Sequence, residues 1–288
     1  MRRLILILAL FAALSCPGAY GWDPLGHRTI AQIAENHLTP AAKAAIMKYV
    51  SEPLASIALD ADDFRAYWTV DLGFIPTNPD AARLKSLKQF DFSTPLNISP
   101  WSHSFTVDAN FVPYRTDNLD GAYINNCVYY MTRFAAQLKS GAESMDPVER
   151  YRAIALITHF VGDMHCPMHI VYLPAKTNKG SYKVTYKGKS ITMHYVWDST
   201  MPTETGSNYS KFWSMADTFS ESEIAAVTQG DLFDWAADSA VSCWYVHNEY
   251  SEGDELPSDY VATHQALLYS QIRKAGYRLA SLLNEIFQ

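Results

Sequence analysis

The sequence predicts a mostly α, single-domain multi-helix bundle with one small β-hairpin. Three observations lead there. Apolar residues recur at helical spacing along most of the chain, only one segment alternates like a strand, and no linker rich in Gly, Pro or Ser divides the chain.

The first segment stands outside that fold. Arg2 and Arg3 precede an unbroken apolar run from Leu4 to Leu14, and small residues Ala19 and Gly21 lie just before Trp22. This is the pattern of a secretory signal over residues 1–21, cleaved before Trp22. The run is short of the roughly 20 residues that a membrane-spanning helix needs. Cys16, in "ALSC", offers an alternative start as a lipidated residue. The expected mature domain is 22–288, secreted or periplasmic.

Helices follow in order. "PLGHRTIAQIAENHL" sets Ile30, Ile33, Ala34 and Leu38 on one stripe, and "YINNCVYYMTRFAAQL" does so through Ile124, Val128, Met131, Phe134 and Leu138. "DPVERYRAIALITHFVGDMH" opens on Asp146 as cap and Pro147 in the first turn, and runs to about His165. In "SESEIAAV", Ser220 and Glu223 form a capping box. Residues 231–247 and 258–287 read as two long amphipathic helices. The strand signal is "SYKVTYKGKSITMHY", whose alternation on both sides of Lys187-Gly188 predicts a hairpin. The stretch from about Asp71 to Pro113 is rich in Pro, Asn and Asp and reads as loop.

Charge limits the function. Losing Arg2 and Arg3 with the leader leaves 21 basic against 30 acidic residues, a net charge of about −9. A surface this acidic is a poor partner for nucleic acid unless bound cations reverse the field locally. Three cysteines stay in the mature chain, Cys127, Cys166 and Cys243, and in an oxidising compartment one disulfide plus one thiol is expected, with Cys127–Cys243 as the pair.

The histidines carry the chemistry. "THFVGDMHCPMH" holds His159, Asp163 and His169, and "HYVWD" holds His194 and Asp198. His159 and Asp163 are four apart, as are His194 and Asp198, so each pair shares a helix face. Pro167 ends the first helix and lets His169 turn back towards it. Imidazole with carboxylate is a zinc donor set, and a carboxylate can bridge two ions of the kind that assist phosphate chemistry.

With these residues in place the chain resembles the S1/P1 nuclease family, secreted nucleases with three zinc ions. The carrying residues are Trp22 with His27 five positions on, the block over residues 159–169, and the His194-to-Asp198 stretch. The resemblance implies a helical fold related to that of zinc phospholipase C, and a site residue by residue. Asp62, His103, His159 and Asp163 would hold one zinc. His169, His194 and Asp198 would hold a second. The free amine and carbonyl of Trp22, His27 and Asp163 would hold the third, with Asp163 as bridge. Arg65 matches an arginine that stabilises phosphate charge, Asp108 a carboxylate that orients the attacking water, and Phe105 an aromatic ring that stacks on a base. An α-amine has an unperturbed pKa of about 8, so it becomes a neutral ligand at modest cost, and only after the leader is gone.

The chain departs from the family pattern at Asp60, where Trp is usual, so Asp62 is chosen by its spacing to Arg65. Cys166 stands where Gln is common and is expected to be a small buried thiol. His37, His165, His247 and His264 match no ligand position and are expected to pack or to lie on helix surfaces.

The implied activity is zinc-dependent hydrolysis of single-stranded DNA or RNA to 5′-phosphates, with 3′-nucleotidase activity. Three zinc ions would make the site positive inside an acidic protein. A monomer with no stable protein partner is expected. Two alternatives stand beside it. One is a zinc phospholipase C, whose N-terminal Trp lies farther from its next histidine and whose last pair ends in Glu. The other is a non-catalytic secreted zinc-binding protein.

Overall fold

The computed structural model describes residues 22–62, 103–124, 126–173, 182–205 and 208–288. Helix dominates, as the periodicity predicts. In chain order the elements are α1 (Pro24–Asn36), α2 (Pro40–Val50), α3 (Leu54–Ile57), strands β1 (Phe105–Val107), β2 (Asn118–Leu119) and β3 (Ala122–Tyr123), then α4 (Cys127–Gly141) and α5 (Pro147–Met164). After them come β4 (Ile170–Tyr172), β5 (Lys183–Tyr186), β6 (Lys189–Thr192), α6 (Met193–Tyr195), a π-helical turn over Val196–Thr200, and α7 (Met201–Glu204). The chain closes with α8 (Tyr209–Ala216), α9 (Glu221–Val227), α10 (Leu232–Glu249) and α11 (Tyr260–Ile286).

Helix α5 is the central pillar. Asp146 caps it by accepting from the N–H groups of Val148 and Glu149, and Pro147 occupies its first turn, where a missing N–H costs nothing. From Tyr151 to Met164 every residue is buried. It packs against α1, α2, α3, α4 and α11. An enclosed helix of this kind hides polar side chains from water, so each polar group on it must find a partner inside the protein.

The other helices follow their sequence signals. Ile30, Ile33 and Ala34 form the buried stripe of α1, which lies along α11. The capping box of α9 forms, with Ser220 and Glu223 bonding reciprocally. Helix α4 begins at Cys127, four residues later than the periodicity suggests. Asn126 takes its N-cap, accepting from Tyr129 N–H, while its amide donates to the carbonyls of Tyr114 and Thr116.

The hairpin forms where expected. Strands β5 and β6 pair antiparallel from Lys183↔Thr192 to Tyr186↔Lys189. The two turn residues, Lys187 at φ 48° and Gly188 at φ 74°, both adopt the left-handed conformation a tight two-residue hairpin requires. The sequence does not signal the parallel pair β1–β4, with Phe105 opposite Ile170 and Val107 opposite Tyr172. Runs of three residues carry no readable period. This pair matters for function, because His103 lies just before β1 and His169 just before β4.

The disulfide expectation is corrected. Cys127, Cys166 and Cys243 are all buried and free. Cys127 lies within the field of the Asp163 carboxylate, whereas Cys243 lies near Ser239, Asp238 and Lys274. Counting cysteines says nothing of where thiols lie, and the structure joins no two of these three. Among the described residues no helix is long and apolar enough to cross a membrane.

Candidate metal centre

Four elements deliver side chains to one buried point. Helix α5 supplies His159 and Asp163, one turn apart, with His159 Nε2 at 3.1 Å from Asp163 Oδ2. Helix α1 supplies His27, whose Nε2 lies 3.3 Å from Asp163 Oδ1 and whose ring stacks on His159 at 3.8 Å between centroids. The residue pair before β1 supplies His103, with Nδ1 at 2.9 Å from Asp163 Oδ2. The segment after α3 supplies Asp62, whose oxygens lie 4.0 Å from His103 Nδ1 and 3.9 Å from His159 Nε2. Asp60, the competing carboxylate, points elsewhere and accepts from the Tyr151 hydroxyl.

A second group adjoins the first. Helix α5 ends at Met164, and the short 3-10 turn Pro167–His169 folds His169 back, as Pro167 suggests. His169 Nδ1 lies 3.8 Å from Asp163 Oδ1, and its Nε2 lies 3.8 Å from Asp198 Oδ1. His194 Nε2 lies 3.1 Å from Asp198 Oδ2 and 2.9 Å from His169 Nε2. The π-helical turn that holds Asp198 continues directly from α6, which holds His194. The parallel strand pair joins the groups, since His169 Nδ1 donates to the His103 carbonyl at 2.8 Å.

Trp22, the first described residue, is pinned to the same place. Trp22 is fully buried, and its Nε1–H donates to the Gly162 carbonyl at 3.0 Å. The next residue's N–H donates to the Asp198 carbonyl at 2.7 Å. Asp23 then caps α1, accepting from Leu25 and Gly26. Burial raises its carboxyl to about 6.

The donor chemistry fits cations. His159 Nδ1 must donate to the Ala58 carbonyl, 2.8 Å away, because a carbonyl only accepts. A neutral His159 therefore aims the Nε2 lone pair at carboxylates of Asp62 and Asp163. His169 is fixed the same way by the His103 carbonyl, so its Nε2 lone pair faces Asp198 and His194. Both ring nitrogens of His27, both oxygens of Asp62, Asp163 Oδ1 and Asp198 Oδ2 are buried with no hydrogen-bond partner among the described residues. Lone pairs facing lone pairs in a dry interior are costly without positive charge between them.

Protons alone satisfy this arrangement unevenly. Burial works against a charged His159, but the carboxylates of Asp163 and Asp62 outweigh it and raise the ring to about 9. His169 rises to about 9 for the same reason, through Asp163 and Asp198. Burial and the neighbouring His159 charge push His27 down to about 4. Burial also lowers His103. Although burial acts to raise Asp163, the facing His159, His169 and His103 hold it well below the usual carboxylate range. Among the described residues, three donor sets have ligand atoms close enough to hold an ion: His27, His159 and Asp163; Asp62, His103 and His159; and Cys166, His169 and Asp198.

The remaining predicted residues divide. Arg65 lies outside the described residues. Asp108 stands on the loop after β1, where its Oδ1 accepts from Asn110 and Val112 N–H at 2.8 and 2.9 Å. Phe105 is fully buried on β1, so its ring presents no face on which a base could stack. His165, His247 and His264 are buried and make other polar contacts: His165 with Arg278, His247 with the Pro167 carbonyl, and His264 with Glu249. His37 pairs with Asp217 at the rim of α1.

Two residues escaped the sequence reading as parts of the site. A Cβ on Gly162 would sit 2.7 Å from His27 Nδ1, so the absent side chain makes room for that ring. A glycine inside an otherwise strong helix pattern is the signal that marks it. Cys166 donates to Asp198 Oδ1 at 3.1 Å, and only its adjacency to the histidine block hints at that.

Comparison with known proteins agrees with this geometry. The S1/P1 Nuclease family profile matches residues 22–288. Endonuclease 2 of Arabidopsis thaliana is 24% identical over 100% of this chain and 98% of its own length. Nuclease S1 of Aspergillus oryzae is 26% identical over 99% and 98%, and nuclease P1 of Penicillium citrinum is 27% identical over 92% and 97%.

Proposed function

The chain belongs to the S1/P1 nuclease family, and on that premise we propose that it is a zinc-dependent phosphodiesterase acting on single-stranded DNA and RNA. Its products are 5′-phosphates, and it also removes the phosphate of 3′-mononucleotides. The observation that carries this reading is the convergence of His27, His103, His159 and Asp62 around the Asp163 carboxylate. Names of relatives such as nuclease S1 and nuclease P1 support the substrate class.

Three zinc positions are proposed: Asp62, His103, His159 and Asp163; His169, His194 and Asp198; and Trp22, His27 and Asp163. Held there, zinc would supply concentrated positive charge and the Lewis acidity that makes water a nucleophile near neutral pH.

The protein's own groups do the rest. Asp163 sits between the rings, where its carboxylate would supply negative charge to bound ions. The Ala58 and His103 carbonyls fix the tautomers of His159 and His169, so both rings offer Nε2. Arg65 is proposed to neutralise charge that builds on the phosphoryl oxygens. Asp108 is proposed to orient the attacking water through Oδ2, because Oδ1 is committed to its own loop. Positive charge confined to a cleft in an acidic protein suits a flexible single strand better than a rigid duplex, whose recognition relies on a broad basic surface. Export and cleavage before Trp22 are part of the proposal, since they create the amine, and a monomer suffices.

The test uses protein exported and processed by its host. Denatured DNA, RNA and a 3′-mononucleotide should be hydrolysed, duplex DNA much more slowly, and a chelator should abolish turnover. Hydrolysis of phosphatidylcholine alone would replace this reading with a phospholipase C. Bound zinc with no turnover of any phosphoester would leave a zinc-binding protein.

A further inference from the structure

Cys166 lies where the second metal group needs one more donor. Its Sγ is 3.1 Å from Asp198 Oδ1, and Sγ, a His169 ring nitrogen and an Asp198 oxygen all lie within 4.8 Å of one another. Zinc bonds of about 2.3 Å to sulfur and about 2.1 Å to nitrogen or oxygen, set tetrahedrally, separate neighbouring ligand atoms by roughly 3.4–3.6 Å. Asp198 Oδ1 lies 3.1 Å from Sγ and 3.8 Å from His169 Nε2, Asp198 Oδ2 lies 3.1 Å from His194 Nε2, and the two ring nitrogens are 2.9 Å apart. Each departs from the ideal by about half an ångström or less.

Independent observations point the same way. Asp198 is 1% exposed, and its Oδ2, which faces His194 Nε2, has no hydrogen-bond partner among the described residues. The His169 Nε2 lone pair is turned inward by the bond from Nδ1 to the His103 carbonyl. The backbone also holds the thiol in place. Cys166 N–H donates to the Asp163 carbonyl at 2.9 Å, and the Cys166 carbonyl accepts from His169 N–H at 3.0 Å. Asp163, Cys166 and His169 thus belong to one rigid turn.

We propose that Cys166 is a ligand of the second ion, making that position a His169, His194, Asp198 and Cys166 site. The inference rests on the metal-centre reading above and deepens it. When the ion binds, the Sγ–metal bond forms and the thiol proton passes to solvent. The donor set is then softer than imidazole and carboxylate alone, and favours thiophilic divalent ions such as cadmium.

Cobalt(II) exchanged into the processed protein tests this without reference to activity. The wild type should show an intense thiolate-to-cobalt charge-transfer band in the near ultraviolet. Cys166→Ser should lose that band while keeping weaker visible cobalt bands. A Cys127→Ser, Cys243→Ser double variant should keep it, which covers the case of a Cys166→Ser protein that fails to fold. Cobalt uptake by the wild type with no charge-transfer band would overturn the assignment and leave Cys166 as a hydrogen-bond donor to Asp198. Failure of the wild type to take up cobalt or zinc at all would overturn the metal-centre reading itself.

Discussion

The indole of Trp22 and the carbonyl of Gly162 are hydrogen-bonded at 3.0 Å across 140 residues of sequence. The same carbonyl accepts the N–H of His165 at 2.9 Å, in the turn that ends α5. One oxygen therefore fastens the start of the domain to the helix that carries Asp163. Trp22→Phe keeps the backbone and removes the indole donor. The lost hydrogen bond and the smaller ring should lower the unfolding free energy by about 1–3 kcal/mol. Denaturant melts of the two proteins, compared at equal zinc, check this, and an unchanged midpoint would mean that the contact contributes nothing.

Gly162→Ala sets two effects against each other. Alanine favours a helix interior by about 1 kcal/mol over glycine. Its methyl, however, would lie 2.7 Å from His27 Nδ1 and 2.9 Å from Cε1, and the ring is already stacked on His159. The ring has to move, so we expect loss of about one zinc per chain by elemental analysis and a lower melting temperature. Retention of all the metal would show that α1 gives way freely.

Asp163→Asn conserves shape and removes the charge that His27, His103, His159 and His169 all face. Its removal should lower zinc content by more than one ion per chain. Phosphodiester hydrolysis should fall by about 1,000-fold, or roughly 4 kcal/mol of transition-state stabilisation. A variant that keeps its metal and loses only turnover would contradict the bridging role.

His165 gives a pH prediction. Its Nδ1 donates to the Val161 carbonyl, and its Nε2 accepts from Arg278 at 2.8 Å. Burial first, and then the Arg278 charge, push the ring down to about 3. An unfolded histidine titrates near 6.5, so between about pH 6.5 and 3 the unfolded chain binds the extra proton. This contribution is complete above about pH 6.5 and is lost as the pH falls towards 3. Denaturation midpoints at pH 6.5 and 4.5 should therefore differ more for the wild type than for His165→Gln. Equal differences would place the acid sensitivity elsewhere.

The sequence made some of this architecture legible for physical reasons. His159 with Asp163 and His194 with Asp198 were readable because four residues bring side chains onto one helix face. Asp146 with Pro147, and Ser220 with Glu223, announced helix starts because capping is local. Asp62 and His103 came only through the family resemblance, since nothing near either residue specifies a distant partner. The β1–β4 pair was hidden because it joins two three-residue runs far apart in sequence. Cys127 and Cys243 were paired by arithmetic, whereas the structure leaves both thiols free. Phe105 came through the same resemblance as a base-stacking ring, but strand β1 buries it.

The enclosure of α5 has a consequence for how such a protein can diversify. A pillar with neighbours on all sides has no idle surface on which replacements can accumulate, so new specificities have to be written elsewhere. Asp62 and His103 reach the centre from outside the pillar, on segments that are not part of it. Change can then enter through those outer segments, while the hub stays as it is.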